Sequence, residues 1–291
     1  GNTMLHEFDR DKKILITGHT GFKGSWLSLW LHNMGAKVYG VALDPISATD
    51  HFVVAGLAEK VGHTILDIRD LATLKKTFKT IQPDLIFHLA AQPIVLESYS
   101  DPIKTLEINI MGTANVLESA RGVANLKSIV VITTDKCYEN REIDHAYNES
   151  DPLGGHDPYS SSKAAAELVS QSYDRSYFTQ ANIGLATARA GNVIGGGDWQ
   201  QNRLIPDLMR ALQSGQSMHI RNPDSVRPWQ HVLEPLYGYL LLGRALTLDA
   251  ASYKGAWNFG PARTASVSVQ KVMNLAARRL PALPIQYGSN S

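Results

Sequence analysis

The feature that most restricts the fold of this chain is a glycine-rich turn, Gly18–Gly24, between an apolar run and a helical pattern. The run Lys12–Thr17 predicts a short buried strand, and apolar side chains between Trp26 and Met34 recur on one side of a helix. Glycines in such a turn let the backbone approach a pyrophosphate group, and the N–H groups at the helix start stabilise its charge. The segment therefore predicts a dinucleotide site at the first strand of a parallel sheet.

Apolar runs and helical patterns continue to alternate along the chain, which indicates parallel strands joined by helices. Long helices are expected at Asp101–Gly122 and Val232–Leu246. The predicted fold is therefore α/β, with a doubly wound parallel sheet that binds its ligand at the carboxyl ends of the strands. Further strands are expected at Lys37–Leu43, His63–Leu66, Asp84–Ala91, Ser128–Thr134, Ile183–Ala190 and Ala256–Pro261.

The length of 291 residues exceeds the usual size of one domain, yet no linker rich in proline, glycine or serine divides the chain. We expect two packed lobes. Residues 1–190 are predicted to form a Rossmann dinucleotide-binding domain, to which residues 232–261 return. Residues 191–231 and 262–291 are predicted to form a smaller C-terminal α/β lobe for the substrate.

The composition argues against several classes of protein. A formal net charge of +1 without a basic stripe disfavours nucleic acid as a partner, and the apolar runs are too short or too interrupted to span a bilayer. The single cysteine, Cys137, rules out internal disulfides and is expected to be a buried thiol. The polar N-terminus does not resemble a signal peptide. We therefore expect a cytoplasmic protein, and we predict no metal site.

Asp44 follows the second predicted strand, twenty residues after Gly24. A carboxylate at this point accepts hydrogen bonds from the adenosine ribose and favours NAD over NADP. A solvated aspartate ahead of Pro45 is the alternative interpretation. The third strand is expected to end beside the adenine at Asp67-Ile68, and His88, within the fourth strand, is interpreted as a core histidine with satisfied hydrogen bonds.

Tyr159 and Lys163 are four residues apart, one helical turn, so both side chains face the same cleft. Tyrosine has an unperturbed pKa of about 10, so a phenol that takes a proton from an alcohol near neutral pH needs a cation beside it. Lys163 supplies such a cation. A solvated helix would also tolerate this pair. The glycine turn and the peptide Thr134-Asp135-Lys136, at the end of a predicted strand, favour a catalytic pair instead.

The predicted substrate lobe contains groups that suit a nucleotide diphosphate. Cations, an amide and an aromatic ring lie within a dozen residues, between Ile220 and His231. Guanidinium groups pair bidentately with phosphate oxygens, and an indole ring offers a stacking face. We therefore expect this segment to bind the nucleotide part of a substrate.

These segments resemble the extended short-chain dehydrogenase/reductase superfamily and, within it, the nucleotide-sugar 4,6-dehydratases. The resemblance runs from about Ile14 to Pro261 and includes the spacing Gly-x-x-Gly-x-x-Gly. Its most specific peptides are TDKCYENRE (Thr134–Glu142), PLGGHDPYSSSKAAAELV (Pro152–Val169) and IRNPDSVRPWQHVLEPL (Ile220–Leu236).

The resemblance implies a reaction on CDP-glucose with NAD as the cofactor. The sugar is oxidised at C4, loses water across C5 and C6, and recovers the hydride at C6. The C4 ketone makes elimination possible because it acidifies the C5 hydrogen. The implied cofactor contacts are Gly18, Thr20, Gly21, Phe22, Lys23, Gly24, Asp44, Asp67, Ile68, Leu89, Ala90, Ala91, Asn109, Tyr159 and Lys163. The implied substrate contacts are Asn192, Arg203, Leu204, Arg221, Arg227 and His231.

The resemblance also implies roles. Tyr159 is expected to be the base on the 4-hydroxyl, Lys163 to assist it and bind the nicotinamide ribose, and Thr134 to hydrogen-bond the sugar hydroxyl. Related hexose dehydratases carry Asp-Glu after the threonine, where the glutamate removes the C5 proton and the aspartate protonates the departing 6-hydroxyl. Here the residues are Asp135 and Lys136. We expect Asp135 to keep the acid role in a dry site. Lys136 replaces the glutamate. It could act as a base if burial or nearby Lys163 lowers its pKa strongly, or as a cation that stabilises the enolate.

Other interpretations stay open. Lys136 could instead form an ion pair with Glu139 or Glu142. Another nucleotide-sugar enzyme, such as a 4-epimerase, would share Tyr159 and Lys163, although it needs no acid for a leaving group. A non-catalytic NAD-sensing protein would have little reason to keep the catalytic set together.

The assembly is also inferred from the resemblance. Relatives pair through two long helices, and the equivalent segments here are Asp101–Gly122 and Pro158–Phe178. We therefore expect a homodimer.

Overall fold

The computed structural model describes residues 10–139, 148–191, 193–194, 218–220, 226–228, 230–260, 266–268 and 285–287. Thirteen strands lie in these ranges. They are β1 (Lys13–Thr17), β2 (Lys37–Ala42), β3 (Gly62–Ile65), β4 (Leu85–His88), β5 (Ser128–Thr134), β6 (Gly184–Ala190), β7 (Val193–Ile194), β8 (Met218–Ile220), β9 (Val226–Pro228), β10 (Gln230–His231), β11 (Gly255–Phe259), β12 (Ser266–Ser268) and β13 (Ile285–Tyr287).

The main sheet has seven parallel strands in the order β11-β6-β5-β4-β1-β2-β3. The chain therefore starts in the middle, moves to one edge through β3, and returns to the other side of β1 at β4. Where the order reverses, between β1 and β4, the helices that follow these two strands pack on opposite faces of the sheet, which is where doubly wound sheets bind their ligands. The doubly wound parallel sheet that the sequence predicts is confirmed.

Helices connect the strands on both faces of this sheet. A π-helical turn, Glu107–Met111, joins two of them into the long helix that was expected at Asp101–Gly122, and a second π-helical turn, Asp174–Phe178, extends another. The helices are α1 (Phe22–Asn33), α2 (His51–Val54), α3 (Leu71–Ile81), α4 (Val95–Ser100), α5 (Pro102–Leu106), α6 (Gly112–Ala120), α7 (Pro158–Tyr173), α8 (Leu233–Leu248) and α9 (Ala250–Tyr253).

Alternating side chains of β1 belong to two cores on opposite faces of the sheet. Ile14 and Ile16 pack in the core that contains residues of α1 and α8. Leu15 packs in the core that contains residues of α3 and α6. All three side chains are fully buried, and each such burial contributes about 1.5–3 kcal/mol. The carboxyl end of β1 is thus fixed from both sides.

The fourth strand is shorter than the predicted Asp84–Ala91, because its last predicted residues bond to the end of β1. Leu89 N donates to the Thr17 carbonyl oxygen at 3.0 Å, and Ala90 N donates to Thr17 Oγ1 at 3.2 Å. These bonds turn the chain across the strand end. Leu89, Ala90 and Ala91 therefore form a half-buried loop at the carboxyl ends of the strands.

The segment after residue 232 adds to the same sheet, since β11 pairs with β6 from Gly255 opposite Ala186 to Phe259 opposite Ala190. Most of residues 191–231 and 262–291 lie outside the described ranges, so the division into two lobes stays a prediction. Every helix among the described residues falls short of the length and apolarity needed to cross a lipid bilayer.

Candidate active site

The glycine turn brings the start of α1 close to the loop after β4. Gly18 has a φ angle of +79°, and a Cβ atom there would lie 2.7 Å from Ala90 N. A Cβ atom on Gly24 would collide with the Gly18 carbonyl oxygen. Only glycine fits these two positions. Gly21 has no side chain to cap α1, so the first N–H groups of the helix can bind an anion.

A buried hydrogen-bonded chain lies under this turn. Thr17 Oγ1 accepts bonds from Leu89 N and Ala90 N, and it lies 2.6 Å from His88 Nδ1. The Thr17 hydroxyl therefore donates its hydrogen bond to Nδ1, and Nε2 of His88 donates to Thr113 Oγ1 at 2.9 Å. Burial lowers the pKa of His88 to about 3. The interpretation of His88 as a satisfied core histidine is confirmed.

Four more of the predicted cofactor residues lie in the glycine turn, at the start of α1 and after β2. Thr20 Oγ1 donates to the Leu43 carbonyl oxygen at 2.8 Å, which ties the glycine turn to the end of β2. Asp44 follows and is exposed. The Lys23 ammonium donates to the Tyr239 hydroxyl of α8 at 3.2 Å. Phe22, at the start of α1, is half-buried.

Asp67 and Ile68 follow β3, and both have partners within the protein. The Asp67 carboxylate forms an ion pair with Arg69 at 2.8 Å, and the Arg69 hydrogen bond lowers the pKa of Asp67. Ile68 is buried, and its carbonyl oxygen accepts from Asn115 Nδ2 at 2.9 Å. A cofactor that contacts the Asp67 carboxylate would therefore contact a group that is already paired with Arg69.

Asn109 links the loop after β4 to the helix that carries Tyr159. It lies in the Glu107–Met111 π-helical turn and is almost fully buried. Its Oδ1 accepts from Gln92 N at 2.8 Å, and its Nδ2 donates to Ser162 Oγ at 2.9 Å. Asn109 thus fixes the position of the loop after β4 relative to α7.

Tyr159 and Lys163 lie in the first turns of α7. Asp157 caps this helix, since its carboxylate accepts from Ser160 N at 2.9 Å and from Ser160 Oγ at 2.7 Å. Tyr159 is 8% exposed and Lys163 is 7% exposed. Burial lowers the pKa of Lys163 to about 8, although Glu167, one turn further along, opposes this shift. The phenol and the ammonium thus share a nearly dry environment, and the lysine keeps most of its charge near neutral pH.

Thr134, Asp135 and Lys136 follow directly at the end of β5. Lys136 N donates to Thr134 Oγ1 at 3.3 Å, and Lys136 Nζ lies 5.9 Å from the centre of the Tyr159 ring. The structure therefore brings the two predicted motifs together. Asp135 and Lys136 are both exposed, however, because their turn lies beyond the layers that bury the sheet. The protein alone provides neither the dry site expected for Asp135 nor the burial needed by Lys136 as a base.

Cys137 belongs to the same turn but faces the interior. Its side chain is fully buried, and burial raises the pKa of the thiol to about 12. A thiol in this state is a poor nucleophile. The interpretation of Cys137 as a small buried thiol is confirmed.

Sequence reasoning missed a buried ion pair next to Lys163. Arg189 Nε lies 2.9 Å from Glu167 Oε1, and Arg189 Nη2 donates to Glu167 Oε2 at 3.1 Å. Glu167 continues the four-residue spacing of Tyr159 and Lys163, so this spacing was the available signal. Its partner on β6 gave none, because the pair forms only when two distant segments pack together.

The predicted substrate residues are mostly outside the described part of the chain. His231 is exposed, and its Nδ1 accepts from Leu233 N at 3.2 Å, at the start of α8. Arg227 is described only as backbone, in β9. The residues outside the described ranges are Asn192, Arg203, Leu204 and Arg221.

A parallel sheet with a glycine turn at its switch point, and a buried Tyr–Lys pair beside it, defines the class of extended short-chain dehydrogenases/reductases. The chain belongs to the GDP-mannose 4,6 dehydratase family, whose model matches residues 15–247.

Individual proteins are similar to this chain in sequence or in fold. A CDP-glucose 4,6-dehydratase from Salmonella typhimurium is 48% identical over 277 residues, which cover 92% of this chain and 77% of that protein. The epimerase Mth375 from Methanothermobacter thermautotrophicus has a similar structure, with a TM-score of 0.85 and 24% identity over 99% of this chain and 84% of that one. MoeE5, solved in complex with UDP-glucose and NAD, has a TM-score of 0.80 and 25% identity over 95% of this chain and 85% of that one.

Proposed function

We propose that this protein catalyses the NAD-dependent dehydration of CDP-D-glucose to CDP-4-dehydro-6-deoxy-D-glucose. The observation that carries the proposal is the placement of buried Tyr159 and Lys163 beside the Thr134–Lys136 turn. The first pair suits oxidation of an alcohol, and the turn adds an acid for a leaving group. The choice of the CDP sugar rests on the 48% identity to the Salmonella enzyme.

NAD fits the crevice between β1 and β4. Gly18 and Gly24 let the turn pack directly against the loop after β4 and against its own backbone, and the N–H groups at the start of α1 would hold the charge of a pyrophosphate. Asp44 lies where β2 ends, so it would bind the adenosine ribose. When bound, NAD would supply the hydride acceptor for C4 and the hydride donor for C6. The relative MoeE5 was solved with this cofactor.

Tyr159 begins the reaction as a base. Its phenolate takes the proton of the 4-hydroxyl while C4 gives up its hydride, and the Lys163 ammonium stabilises the phenolate electrostatically. Thr134 holds the sugar hydroxyl by a hydrogen bond. The product of this step is a C4 ketone, which acidifies the neighbouring C5 hydrogen.

Asp135 and Lys136 then carry out the elimination. Once the bound sugar has excluded water and Lys136 has lost its proton, its neutral amine takes the C5 proton while Asp135 gives a proton to the 6-hydroxyl, and water leaves as the C5–C6 double bond forms. The hydride returns to C6 and the proton returns to C5. Because both side chains are exposed in the protein alone, the bound sugar has to cover them and exclude water.

The reaction can be tested with a panel of nucleotide-glucose donors and no added NAD. CDP-glucose is expected to give a sugar with the alkaline absorbance of an enolised 4-keto-6-deoxyhexose and the mass change of one lost water. The reaction needs no second redox substrate, since the hydride returns within one turnover. A product that is only a 4-epimer would refute the dehydration and support the epimerase alternative.

The base role of Lys136 has a separate test. In deuterated solvent, the wild type is expected to place deuterium at C5 of the product, and Lys136→Met is expected to exchange this position more slowly. Lys76→Met, at an exposed position of α3, is the matched control. Exchange at the wild-type rate in Lys136→Met would leave Lys136 only the role of stabilising the enolate.

We also propose that residues 191–231 and 262–291 form the substrate lobe. Its arginines suit the diphosphate, because guanidinium groups form paired hydrogen bonds with phosphate oxygens. The proposed contacts are Asn192, Arg203, Leu204, Arg221, Arg227 and His231.

A homodimer through the long helices is proposed as the assembly. Ile103 of α5, Met111 of the π-helical turn and Leu168 of α7 are apolar and more than half exposed. Leu168→Glu is expected to give a monomer in sedimentation velocity, because a charge would be buried at the interface. Leu248→Glu, at a position of α8 that is also more than half exposed, is the matched control that keeps the dimer. A monomeric wild type would contradict the proposal.

We place the reaction in the cytoplasm. The single cysteine is a buried thiol, so the protein does not depend on an oxidising compartment for its stability.

A further inference from the structure

The ion pair next to Lys163 is part of a larger buried network that reaches the opposite side of the site. Four groups satisfy the Glu167 carboxylate: the two nitrogens of Arg189, Thr133 Oγ1 at 2.6 Å and Thr187 Oγ1 at 2.7 Å. Glu167 is fully buried and Arg189 is 2% exposed. A carboxylate held by four donors has one position, and it fixes the face of α7 that carries Tyr159 and Lys163.

The third nitrogen of Arg189 points to the turn that carries Asp135 and Lys136. Arg189 Nη1 donates to the Tyr138 hydroxyl at 2.9 Å, and the guanidinium lies 4.9 Å from the centre of the Tyr138 ring. The Tyr138 hydroxyl in turn donates to Asn258 Oδ1 of β11. Burial raises the pKa of Tyr138 although Arg189 opposes the shift, so the phenol stays neutral and serves as a bridge.

Tyr138 is also held by the backbone. It forms an antiparallel bridge with Leu153, and Gly154 N donates to the Cys137 carbonyl oxygen at 2.9 Å. Two residues beyond Arg189, a Cβ atom on Gly191 would lie 2.6 Å from Asp135 Oδ2. The bonds of Tyr138 on one side and the close approach of Gly191 on the other therefore restrict where the exposed Asp135 carboxylate lies.

We propose that Arg189 is a positioning residue that fixes the elimination groups relative to the oxidation groups, through Tyr138 on one side and Glu167 on the other. This inference rests on the proposed function, because it assigns oxidation to α7 and elimination to the turn after β5. Both steps act on neighbouring carbons of one sugar ring, so the two groups have to keep a fixed separation. A displacement of roughly 1 Å in such a geometry costs about 100-fold in rate.

Tyr138→Phe tests the proposal, because it removes the hydroxyl that Arg189 and Asn258 share. In a single turnover, formation of reduced nicotinamide is expected to stay within about twofold of wild type, while release of water slows by about 10- to 100-fold. The 4-keto sugar that still carries its 6-hydroxyl then accumulates and is measured by quenching and mass spectrometry. Tyr173→Phe, which removes a tyrosine hydroxyl outside this network that donates to Glu118 at 3.0 Å, is the matched control. It is expected to keep the wild-type ratio of the two rates.

The proposal is overturned if Tyr138→Phe slows both steps equally, which would mean a merely structural role. It is also overturned if both steps keep their wild-type rates. Should Tyr138→Phe fail to fold, Asn258→Ala removes the exposed acceptor of the same hydroxyl and is expected to shift the ratio several-fold in the same direction. An unchanged ratio in that variant overturns the proposal too. A wild type that forms no 4-keto-6-deoxy sugar would refute the proposed function itself, independently of these variants.

Discussion

The helix with Tyr159 and Lys163 and the turn with Asp135 and Lys136 lie next to each other, but they differ in burial. The first pair is buried, and its helix is capped by Asp157 and anchored through Glu167. The second pair is exposed beyond the end of β5. The groups proposed for oxidation are thus organised before substrate binds, whereas the groups proposed for elimination are still exposed to water.

Chemistry gives a reason for this difference. A phenolate needs a cation close by in a dry environment, and a core can supply both permanently at the cost of burying one ammonium. An acid and a base that act in turn must change charge during the reaction, and burying both charged forms in the free protein would cost several kcal/mol per ion. Because Asp135 and Lys136 stay in water until the sugar covers them, the free protein does not carry this cost.

The largest effect is expected for Tyr159→Phe, which removes the proton acceptor of the first step. All later steps need the C4 ketone, so we expect turnover of CDP-glucose to fall by about 10³- to 10⁴-fold, the upper part of the range for general base catalysis. The measurement is the rate of 4-keto-6-deoxy product. Undiminished turnover would show that Tyr159 is not the base of the oxidation step.

Glu167→Gln is expected to affect stability even without substrate. The substitution leaves the buried Arg189 guanidinium without its carboxylate, which costs about 3–5 kcal/mol in the free energy of unfolding. Urea denaturation measures the loss. Glu97→Gln is the control, because the exposed pair Lys104–Glu97, at 3.0 Å, contributes less than about 1 kcal/mol. Similar losses in both variants would show that the helix is not anchored by its buried pair.

Lys163 is expected to make stability depend on pH. Burial lowers its pKa from 10.5 to about 8, so between these values the unfolded chain binds more protons at this site than the folded protein does. The free energy of unfolding therefore gains a contribution that increases as the pH rises through this window, by about 3 kcal/mol at most.

In Lys163→Met this contribution should be missing, which leaves the variant relatively more stable below about pH 8. The comparison is made by urea denaturation at both ends of the window, with Lys76→Met, at an exposed position of α3, as the control. An identical pH dependence in wild type and Lys163→Met would show that the ammonium is not buried as the structure has it.

The smallest effect is expected for Asp135→Asn, and it should appear only in turnover. We expect elimination to slow by about 100-fold, because the leaving 6-hydroxyl loses its acid, while oxidation continues. The unfolding free energy should change by less than about 0.5 kcal/mol, since the side chain is exposed. A loss of stability as large as that of Glu167→Gln would contradict the contrast between the two halves.

Some of these features could be predicted from the sequence because they depend on neighbours along the chain. The run Lys12–Thr17 with its glycine turn predicts β1 and the start of α1, and the four-residue spacing of Tyr159 and Lys163 predicts a shared helix face. The strand β5 was predicted with its observed bounds, Ser128–Thr134. The prediction for β4 was too long, because the hydrogen bonds from Thr17 to the loop after His88 join segments far apart in sequence.

The sequence by itself determined the parallel α/β sheet, the glycine turn at its switch point and the identity of the groups at the cleft, since hydrophobic period, glycine spacing and helical spacing are local properties. Only the tertiary structure decided which of these groups are dry. Lys163 is buried and Lys136 is exposed, although both are lysines near a catalytic motif. Burial depends on which distant segments pack around a side chain, and the Arg189 network that joins α7 to the turn after β5 forms only when β6 pairs with β5 and brings Arg189 to both.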